Sequence, residues 1–223
     1  MKIQGVTESV VQYLRQEIVT GALSPGMWFN ENALSRQIGV SRPPIREAFR
    51  KLEHENLVVN VPRKGTYVTK LSVEDCAQVF YARKMIECTA IDILEELNLT
   101  SLPSLKEALE AAENCPLPTS SAPRDMLPHL EVMANFHVQL VKSCRNDWLN
   151  HFYKSIQSTL SRYQLMYLNL PGSHQFSVSD HSLIFKGISL GHFDRAREHL
   201  KAHLERTANL LIRKMKEDQG AEV

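Results

Sequence analysis

The sequence predicts a mainly α-helical protein in which a small N-terminal unit of three helices and one hairpin precedes an all-helical antiparallel bundle. Apolar residues recur at helical spacing along most of the 223 residues. Residues 57–70 instead read as two short strands around a Pro-Arg-Lys-Gly turn. After Ser72, glycine is rare and no further strand pattern occurs. We therefore expect two domains, 1–71 and 72–223.

Composition favours a cytoplasmic globular protein. Hydrophobic residues make up 43% of the chain, and no segment approaches the roughly 20 apolar residues that span a bilayer. The four cysteines are scattered, which indicates neither a disulfide framework nor a zinc ribbon. Residues 1–70 hold 10 Lys and Arg against 6 Asp and Glu, a net +4, whereas the remainder holds 16 against 19, a net −3. A polyanion would therefore dock at the N-terminal third, although such an excess also occurs on ordinary solvated surfaces.

Two amphipathic helices are predicted first. Thr7 is expected to cap a helix that ends before Gly21. Asn30 is expected to cap a second helix over 31–38, and Gly39 is expected to stop it.

A third helix is predicted from a cap at Ser41 to about Glu55. Pro43 and Pro44 fall in its first turn, where the backbone amides have no helical partner. Its buried face holds Ile45, Ala48, Phe49 and Leu52. Its other face holds a row of arginines at every fourth residue: Arg42, Arg46 and Arg50.

A helix, a tight turn and a second helix with a basic face make the helix-turn-helix plan, whose second helix lies in the major groove of DNA. Arginine can there contact guanine or a phosphate. Arg63 and Lys64 at the hairpin tip would reach the minor groove, and Gly65 would allow close backbone approach to phosphates. The alternative is that Arg46 and Arg50 pair with glutamates 47, 53 or 55 on a solvated helix.

Residues 7–70 resemble the winged helix-turn-helix of the GntR superfamily of bacterial transcription regulators. The resemblance rests on LRQEIVTGALSPGMWFNENALSRQIGVSRPPIREAFRKLEHENLV and on the wing RKGTYV. It implies that Ser41, Arg42 and Arg46 contact bases or phosphates and that Gly65 is the wing glycine. Many members carry arginine where this chain has Asn32, and Arg36 one turn onward is a candidate substitute.

Six bundle helices are predicted, the first running from a cap at Ser72 to about Leu97 with Met85 among its inward residues. The others are expected over 105–114, 126–143, 148–168, 179–190 and 193–216, separated by Pro- and Gly-containing breaks.

The bundle resembles the FCD effector domain of FadR-type regulators. The resemblance rests on the 83–87 element, ANFHVQL, Asp180-His181 and GHFDRAREHLKAHL. Many members hold a divalent metal with one Asp and three His, and small carboxylates bind against it. The histidines match His137, His181 and His203, but Met133 stands where the Asp is expected. Zinc or nickel with water or an effector completing the coordination is one interpretation; three hydrogen-bonded core histidines are the other.

The same resemblance implies that Arg83 binds an anionic effector, since its fork of donors matches a carboxylate. A salt bridge to Glu87 one turn onward is the alternative. Met133, Arg162 and Tyr163 are further candidates to face the effector. The remaining histidines, including His129 and His174, are expected to be mostly exposed.

These observations predict a ligand-responsive regulator that binds double-stranded operator DNA as a homodimer. No association with a membrane is expected. A repressor released by a small organic acid fits them best. A metal-dependent enzyme using the three histidines is one alternative, but no nucleophile elbow or phosphate loop occurs. A sequence-indifferent architectural DNA protein is the other, disfavoured by the modest charge excess and the large bundle.

Overall fold

The computed structural model describes the backbone of residues 5–221 and the side chains of residues 5–219. Two compact units divide the chain. One runs to Leu71 and also includes Ser155–Arg162, and the other contains Ser72–Lys154 and the chain from Tyr163 onward. The proposed domains differ from these units only in the placement of Ser155–Arg162.

The first unit contains three helices and a hairpin: α1 Val6–Val19, α2 Glu31–Ile38, α3 Arg42–His54, β1 Val58–Val61 and β2 Gly65–Val68. The strands are antiparallel, with Val58 opposite Val68 and Val61 opposite Gly65. Helix α1 begins one residue before the predicted cap Thr7, so the cap prediction was wrong. Its N-cap is Gly5, whose backbone is extended.

Ser41 is the N-cap residue of α3, as predicted, but its side chain makes no cap hydrogen bond. Helix α2 has both local signals that the sequence indicated. The Asn30 side chain accepts hydrogen bonds from the amides of Asn32 and Ala33. Gly39 ends α2 in the left-handed conformation, with φ of 67°. Inward residues of α1, α3 and the hairpin form the core of this unit, including Leu14, Ile45, Leu52, Leu57 and Val58.

Six helices follow in the described part of the chain: α4 Val73–Glu96, α5 Pro103–Glu113, α6 Pro123–Ser143, α7 Asp147–Leu168, α8 Ser173–Ser189 and α9 Phe193–Ala221. They belong to the second unit except for Ser155–Arg162 of α7. Helix α9 packs on α4 and α8, and α6 packs on α4 and α5. A Cβ atom on Gly187 would lie 2.9 Å from the Cβ atom of Ala196, so a side chain there would separate α8 from α9. Buried residues from α4, α6 and α9 fill the centre, including Ile91, Leu94, Phe136, Leu140 and Leu200.

Two predicted features of the bundle need correction. Helix α8 begins six residues before the predicted start at 179, directly after Gly172, whose φ of 76° sets the turn. Met85 was expected to face inward, but 53% of it is exposed. Within the described residues, no helix is both long and apolar enough to cross a membrane.

Candidate functional site

The arginine row of α3 lies on an exposed face. The exposed fractions of the Arg42, Arg46 and Arg50 side chains are 48%, 56% and 72%. The apolar residues Ile45, Ala48, Phe49 and Leu52 point the other way and are buried. The helix therefore presents a row of guanidinium groups to solvent.

Two of the three arginines share one carboxylate from the preceding helix. Arg46 Nε donates to Glu31 Oε2 at 2.9 Å, and Arg42 donates to the same oxygen from Nε at 3.3 Å and Nη2 at 3.2 Å. Arg50 pairs with Glu47 at 2.7 Å within its own helix. The alternative interpretation paired Arg46 and Arg50 with glutamates 47, 53 or 55. It is correct for Arg50, but Arg46 pairs instead with Glu31, which was not foreseen.

The hairpin presents a second basic surface. Arg63 and Lys64 are exposed at its tip, and Arg63 has a left-handed backbone with φ of 64°. Gly65 has φ of 105°, and a Cβ atom there would lie 2.7 Å from Nε1 of Trp28. The indole of Trp28 thus gives a structural reason for this glycine beside the predicted approach to phosphates. Asn32, Arg36 and Ser41 are also exposed.

Three histidines from three bundle helices meet in the interior. His137 of α6, His181 of α8 and His203 of α9 each offer one ring nitrogen, and the three nitrogens lie within 4.8 Å of one another. Nε2 of His137 is 3.0 Å from Nε2 of His181. Two imidazole nitrogens bound at the tetrahedral angle to one zinc ion, with Zn–N bonds of about 2.0–2.1 Å, lie roughly 3.3–3.4 Å apart, so the observed 3.0 Å is slightly shorter than that spacing.

Carboxylates orient two of these rings. Nδ1 of His137 lies 2.7 Å from Glu87 Oε2, and Nδ1 of His203 lies 2.8 Å from Asp180 Oδ2. An ionised carboxylate only accepts, so each Nδ1 carries the proton and each Nε2 keeps its lone pair. Carboxylate–histidine pairs of this kind commonly orient metal ligands. Arg206 also donates to Asp180 Oδ2.

The three rings are neutral at physiological pH. Burial lowers the pKa of His137 to about 4 and that of His203 to about 3, and the nearby Arg83 charge acts in the same direction. Burial and the neighbouring histidines lower the pKa of His181 well below its ordinary value. Neutral imidazole is the form that binds a metal, so the donor set fits a divalent ion such as zinc or nickel.

Arg83 lies in the same interior and is 1% exposed. Its Nε donates to Glu87 Oε1 at 2.6 Å. Burial alone would raise the pKa of Glu87, but Arg83 and His137 together lower it to about 2. The ion pair with Glu87 is therefore present, but Nη2 of Arg83 has no hydrogen-bond partner among the described residues.

A pocket joins these groups. Its lining includes Arg83, Leu130, Met133, Ser177 and Thr207 together with the three histidines. Met133 is 5% exposed and stands one turn before His137 on α6. The thioether supplies no hard ligand where a carboxylate was expected.

Two predicted effector residues lie elsewhere. Arg162 donates from Nη1 to Thr69 Oγ1 at 2.8 Å and from Nη2 to the Thr69 carbonyl at 2.9 Å, inside the first unit. The Tyr163 hydroxyl donates to Asp75 Oδ2 at 2.7 Å and anchors the start of α4. Neither is in the described lining of the pocket, because each side chain is used to hold a backbone segment.

A second histidine pair was missed from the sequence. His129 was expected to be exposed but is 5% exposed, and its Nε2 lies 3.2 Å from Nδ1 of His174. Nδ1 of His129 lies 3.3 Å from the Cys115 thiol. The eight-residue spacing between His129 and His137 on α6 was the available signal, because it places them on one helix face.

A winged helix-turn-helix with an exposed arginine row, followed by a helical bundle with a polar interior pocket, defines a DNA-binding regulator with a ligand-binding domain. The comparisons with known proteins agree. Residues 6–68 match the model for bacterial regulatory proteins of the gntR family, and residues 78–206 match the FCD domain. The chain belongs to the GntR family of transcription regulators that carry an FCD domain.

Relatives support this assignment along most of the chain. The HTH-type transcriptional regulator YdhC of Bacillus subtilis (strain 168) is 27% identical over 85% of this chain and 84% of its own length. The HTH-type transcriptional repressor RspR of Escherichia coli (strain K12) is 25% identical over 91% of this chain and 87% of its own. The solved structure of a GntR-type regulator from Rhodococcus sp. RHA1 has the same fold, with a TM-score of 0.72 and 22% identity. The alignment covers 92% of this chain and 97% of that one.

The family assignment decides between the classes left open by the sequence. Proteins of this family bind operator DNA and small-molecule effectors, dimerisation is typical of them, and FCD domains commonly bind metal ions. The chain is a transcription regulator and not an enzyme, because the matched domains and relatives are all regulators. The metal-dependent enzyme suggested as an alternative is therefore excluded.

Proposed function

We propose that this regulator is a repressor that binds a two-fold related operator as a homodimer and releases it when a small carboxylate enters the bundle pocket. The E. coli relative named a transcriptional repressor supports the sign of regulation. The effector would act through different affinities for the DNA-bound and free forms of the dimer, a coupling of typically about 1–3 kcal/mol.

The proposed DNA contacts use the exposed polar surface of the first unit. The arginines of α3 would enter the major groove, with Asn32, Arg36 and Ser41 beside them, while Arg63, Lys64 and Gly65 of the wing would meet the neighbouring groove. Exposure of these side chains, apart from the half-buried Gly65, supports the assignment. One short helix reads few base pairs, so two copies are needed for a specific site.

The observation that carries the effector proposal is Arg83, which lines the histidine pocket and whose buried Nη2 has no hydrogen-bond partner among the described residues. A buried charged donor left unpaired is costly. Burial opposes the charge of Arg83, but Glu87 and Tyr153 together more than offset it, so the pKa of Arg83 is raised. A carboxylate in the pocket would accept from this N–H.

His137, His181 and His203 would hold a zinc or nickel ion beside the carboxylate. Such an ion, when bound, supplies a Lewis-acid anchor for a carboxylate oxygen. Glu87 and Asp180 fix the rings of His137 and His203, and Met133 supplies no carboxylate at the position where an aspartate was expected. An effector that brings its own oxygen would therefore complete the coordination.

The homodimer would cover apolar surface that the bundle leaves exposed. Trp148 and Phe152 of α7 are 72% and 51% exposed, and both ring systems contact His151. Burial of large aromatic side chains is characteristic of stable protein interfaces.

Metal content tests the site directly. Protein purified without a histidine tag is analysed by elemental mass spectrometry before and after loading with zinc or nickel, alongside His137→Ala and the control His151→Ala on the surface. About one metal per chain, lost only in His137→Ala, is expected. Absence of metal after loading would make the three histidines core residues and direct the effector search to metal-free ligands.

DNA release is tested separately with duplexes selected by the protein from a random pool. Metal-loaded protein is titrated onto the selected duplex with and without di- and tricarboxylates. Weakened binding that depends on Arg83 supports the proposal, and binding unchanged by the whole acid series contradicts the effector class.

A further inference from the structure

One carboxylate oxygen accepts hydrogen bonds from two arginines of α3. Glu31 Oε2 accepts from Arg42 Nε and Nη2 and from Arg46 Nε, at 2.9–3.3 Å. Glu31 is the first residue of α2, and the arginines follow it by 11 and 15 positions on α3. This Glu31–arginine cluster, formed by Glu31, Arg42 and Arg46, therefore depends on the turn between the two helices.

The turn and the helix cap fix Glu31 in place. Asn30 caps α2 directly before it, and the Ser35 hydroxyl donates to the Val40 carbonyl at 2.7 Å across the turn. The Glu31 side chain is 28% exposed, compared with 55% for Glu47, whose partner Arg50 lies three positions away on the same helix. Glu31 is thus held by tertiary structure, whereas Glu47 makes a local surface pair.

A carboxylate oxygen and a phosphate oxygen accept from the same guanidinium N–H groups. Arg42 already uses Nε and Nη2, the adjacent donors of its fork, on Glu31. A DNA phosphate or a guanine that takes these donors must displace Glu31 or share them with it. The arginine side chains are about half exposed, so DNA can reach them.

We propose that Glu31 is an intramolecular competitor of DNA phosphate that restrains binding to DNA of arbitrary sequence. The inference rests on the proposed DNA-binding role of α3. Phosphate contacts supply nearly all of the non-specific affinity, so a carboxylate that occupies two phosphate-binding arginines lowers that affinity first. Operator binding must displace Glu31 as well, but its base contacts supply affinity that DNA of arbitrary sequence does not.

The test compares Glu31→Gln with Glu47→Gln, which removes the same charge from the neighbouring surface pair. Binding to a random-sequence 30-base-pair duplex is measured by fluorescence anisotropy at several salt concentrations. Glu31→Gln is expected to tighten binding roughly 3- to 10-fold, as two exposed ion pairs allow. It should steepen the slope of log affinity against log salt by about one unit. Glu47→Gln should change affinity less than about twofold.

Three results decide the inference. Loss of the Glu31→Gln effect in an Arg42→Ala, Arg46→Ala background supports it. Equal tightening by Glu31→Gln and Glu47→Gln would show that only net charge matters and would overturn the inference. Weaker DNA binding by Glu31→Gln would make Glu31 a positioning residue and would overturn it too. A different result would overturn the DNA-binding role of α3 itself: DNA affinity of the wild-type protein that changes neither with salt nor on Arg46→Ala. The proposed role of Glu31 would then fall as well. Thermal unfolding of each variant checks that the fold is intact.

Discussion

The two units use the same Arg–Glu pairing in opposite surroundings. In the first unit, Arg42 and Arg46 share Glu31 with side chains 28–56% exposed. In the second, Arg83 and Glu87 pair at 2.6 Å with side chains 1% and 0% exposed. Water stabilises the separated charges of the first group but is excluded from the second.

The difference teaches which pairs can exchange partners. An exposed pair is worth about 0.2–1 kcal/mol and can give way to a phosphate. A buried pair cannot lose one partner without leaving a charge in a low-dielectric interior. The first unit therefore carries exchangeable arginines suited to a polyanion, and the second carries a fixed arginine that shapes a pocket.

The largest expected effect comes from breaking the buried pair. Arg83→Met leaves Glu87 charged in the interior and should lower the free energy of unfolding by about 3–5 kcal/mol. The matched surface change, Arg46→Met, should lower it by less than about 0.5 kcal/mol. Urea unfolding at pH 7 measures both. A similar small loss in the two variants would contradict the contrast between the units.

The second-largest expected effect is a loss of folding stability in acid for the metal-free protein. The pKa of His137 is about 4 in the folded protein, below its ordinary value of 6.5, because burial opposes the charge. Between these values the unfolded chain binds the proton and the folded chain does not, so stability falls as pH drops from 6.5 to 4, by roughly 2–3 kcal/mol. Urea midpoints measured with a chelator should show this slope. The slope should become shallower in His137→Gln, where the lowered pKa values of His181 and His203 still contribute, and should be unchanged in His151→Gln.

Removing an orienting carboxylate should have an intermediate effect on metal binding. Asp180→Asn replaces the charged acceptor of His203 with a neutral amide oxygen and should weaken zinc binding about 10- to 100-fold. Asp92→Asn, which removes a surface partner of Arg197, should leave zinc affinity unchanged. Competition with a chromogenic chelator measures the affinity. Equal affinity in the two variants would remove Asp180 from the site.

The smallest expected effect is the loss of DNA affinity when an arginine of the exposed row on α3 is removed. Arg46→Ala should weaken duplex DNA binding by about 1–2 kcal/mol and lower the salt slope by about 0.9 if Arg46 meets one phosphate. Arg195→Ala on the exposed face of α9 is the control and should change neither quantity. An unchanged salt slope with lost affinity would assign Arg46 to a base instead of a phosphate.

Local sequence signals predicted much of the fold. Helix α2 was predicted at 31–38, where it lies, because Asn30 and Gly39 mark both ends. The two strands lie within the predicted hairpin over 57–70, but their ends depend on the pairing that places Val58 opposite Val68. The start of α8 was missed because Gly172 was interpreted as part of a longer break, although a left-handed glycine can directly precede a helix.

The candidate site was less accessible to sequence reasoning. The three histidines were grouped by resemblance, but Glu87 and Asp180 become their partners only through packing of α4 with α6 and of α8 with α9. The contact between Glu31 and Arg46 likewise spans a turn whose geometry no residue pattern specifies. Sequence spacing identifies neighbours on one helix, whereas these contacts join different helices.

The most direct test of the central claim is sequencing of the duplexes that zinc-loaded protein retains from a random pool, with and without a mixture of small organic acids. The account predicts an enriched inverted repeat in the acid-free sample, lost when the acids are present and absent with Arg46→Ala. A retained pool no different from the input would contradict sequence-specific binding, and a repeat retained equally with the acids would contradict a carboxylate-responsive regulator.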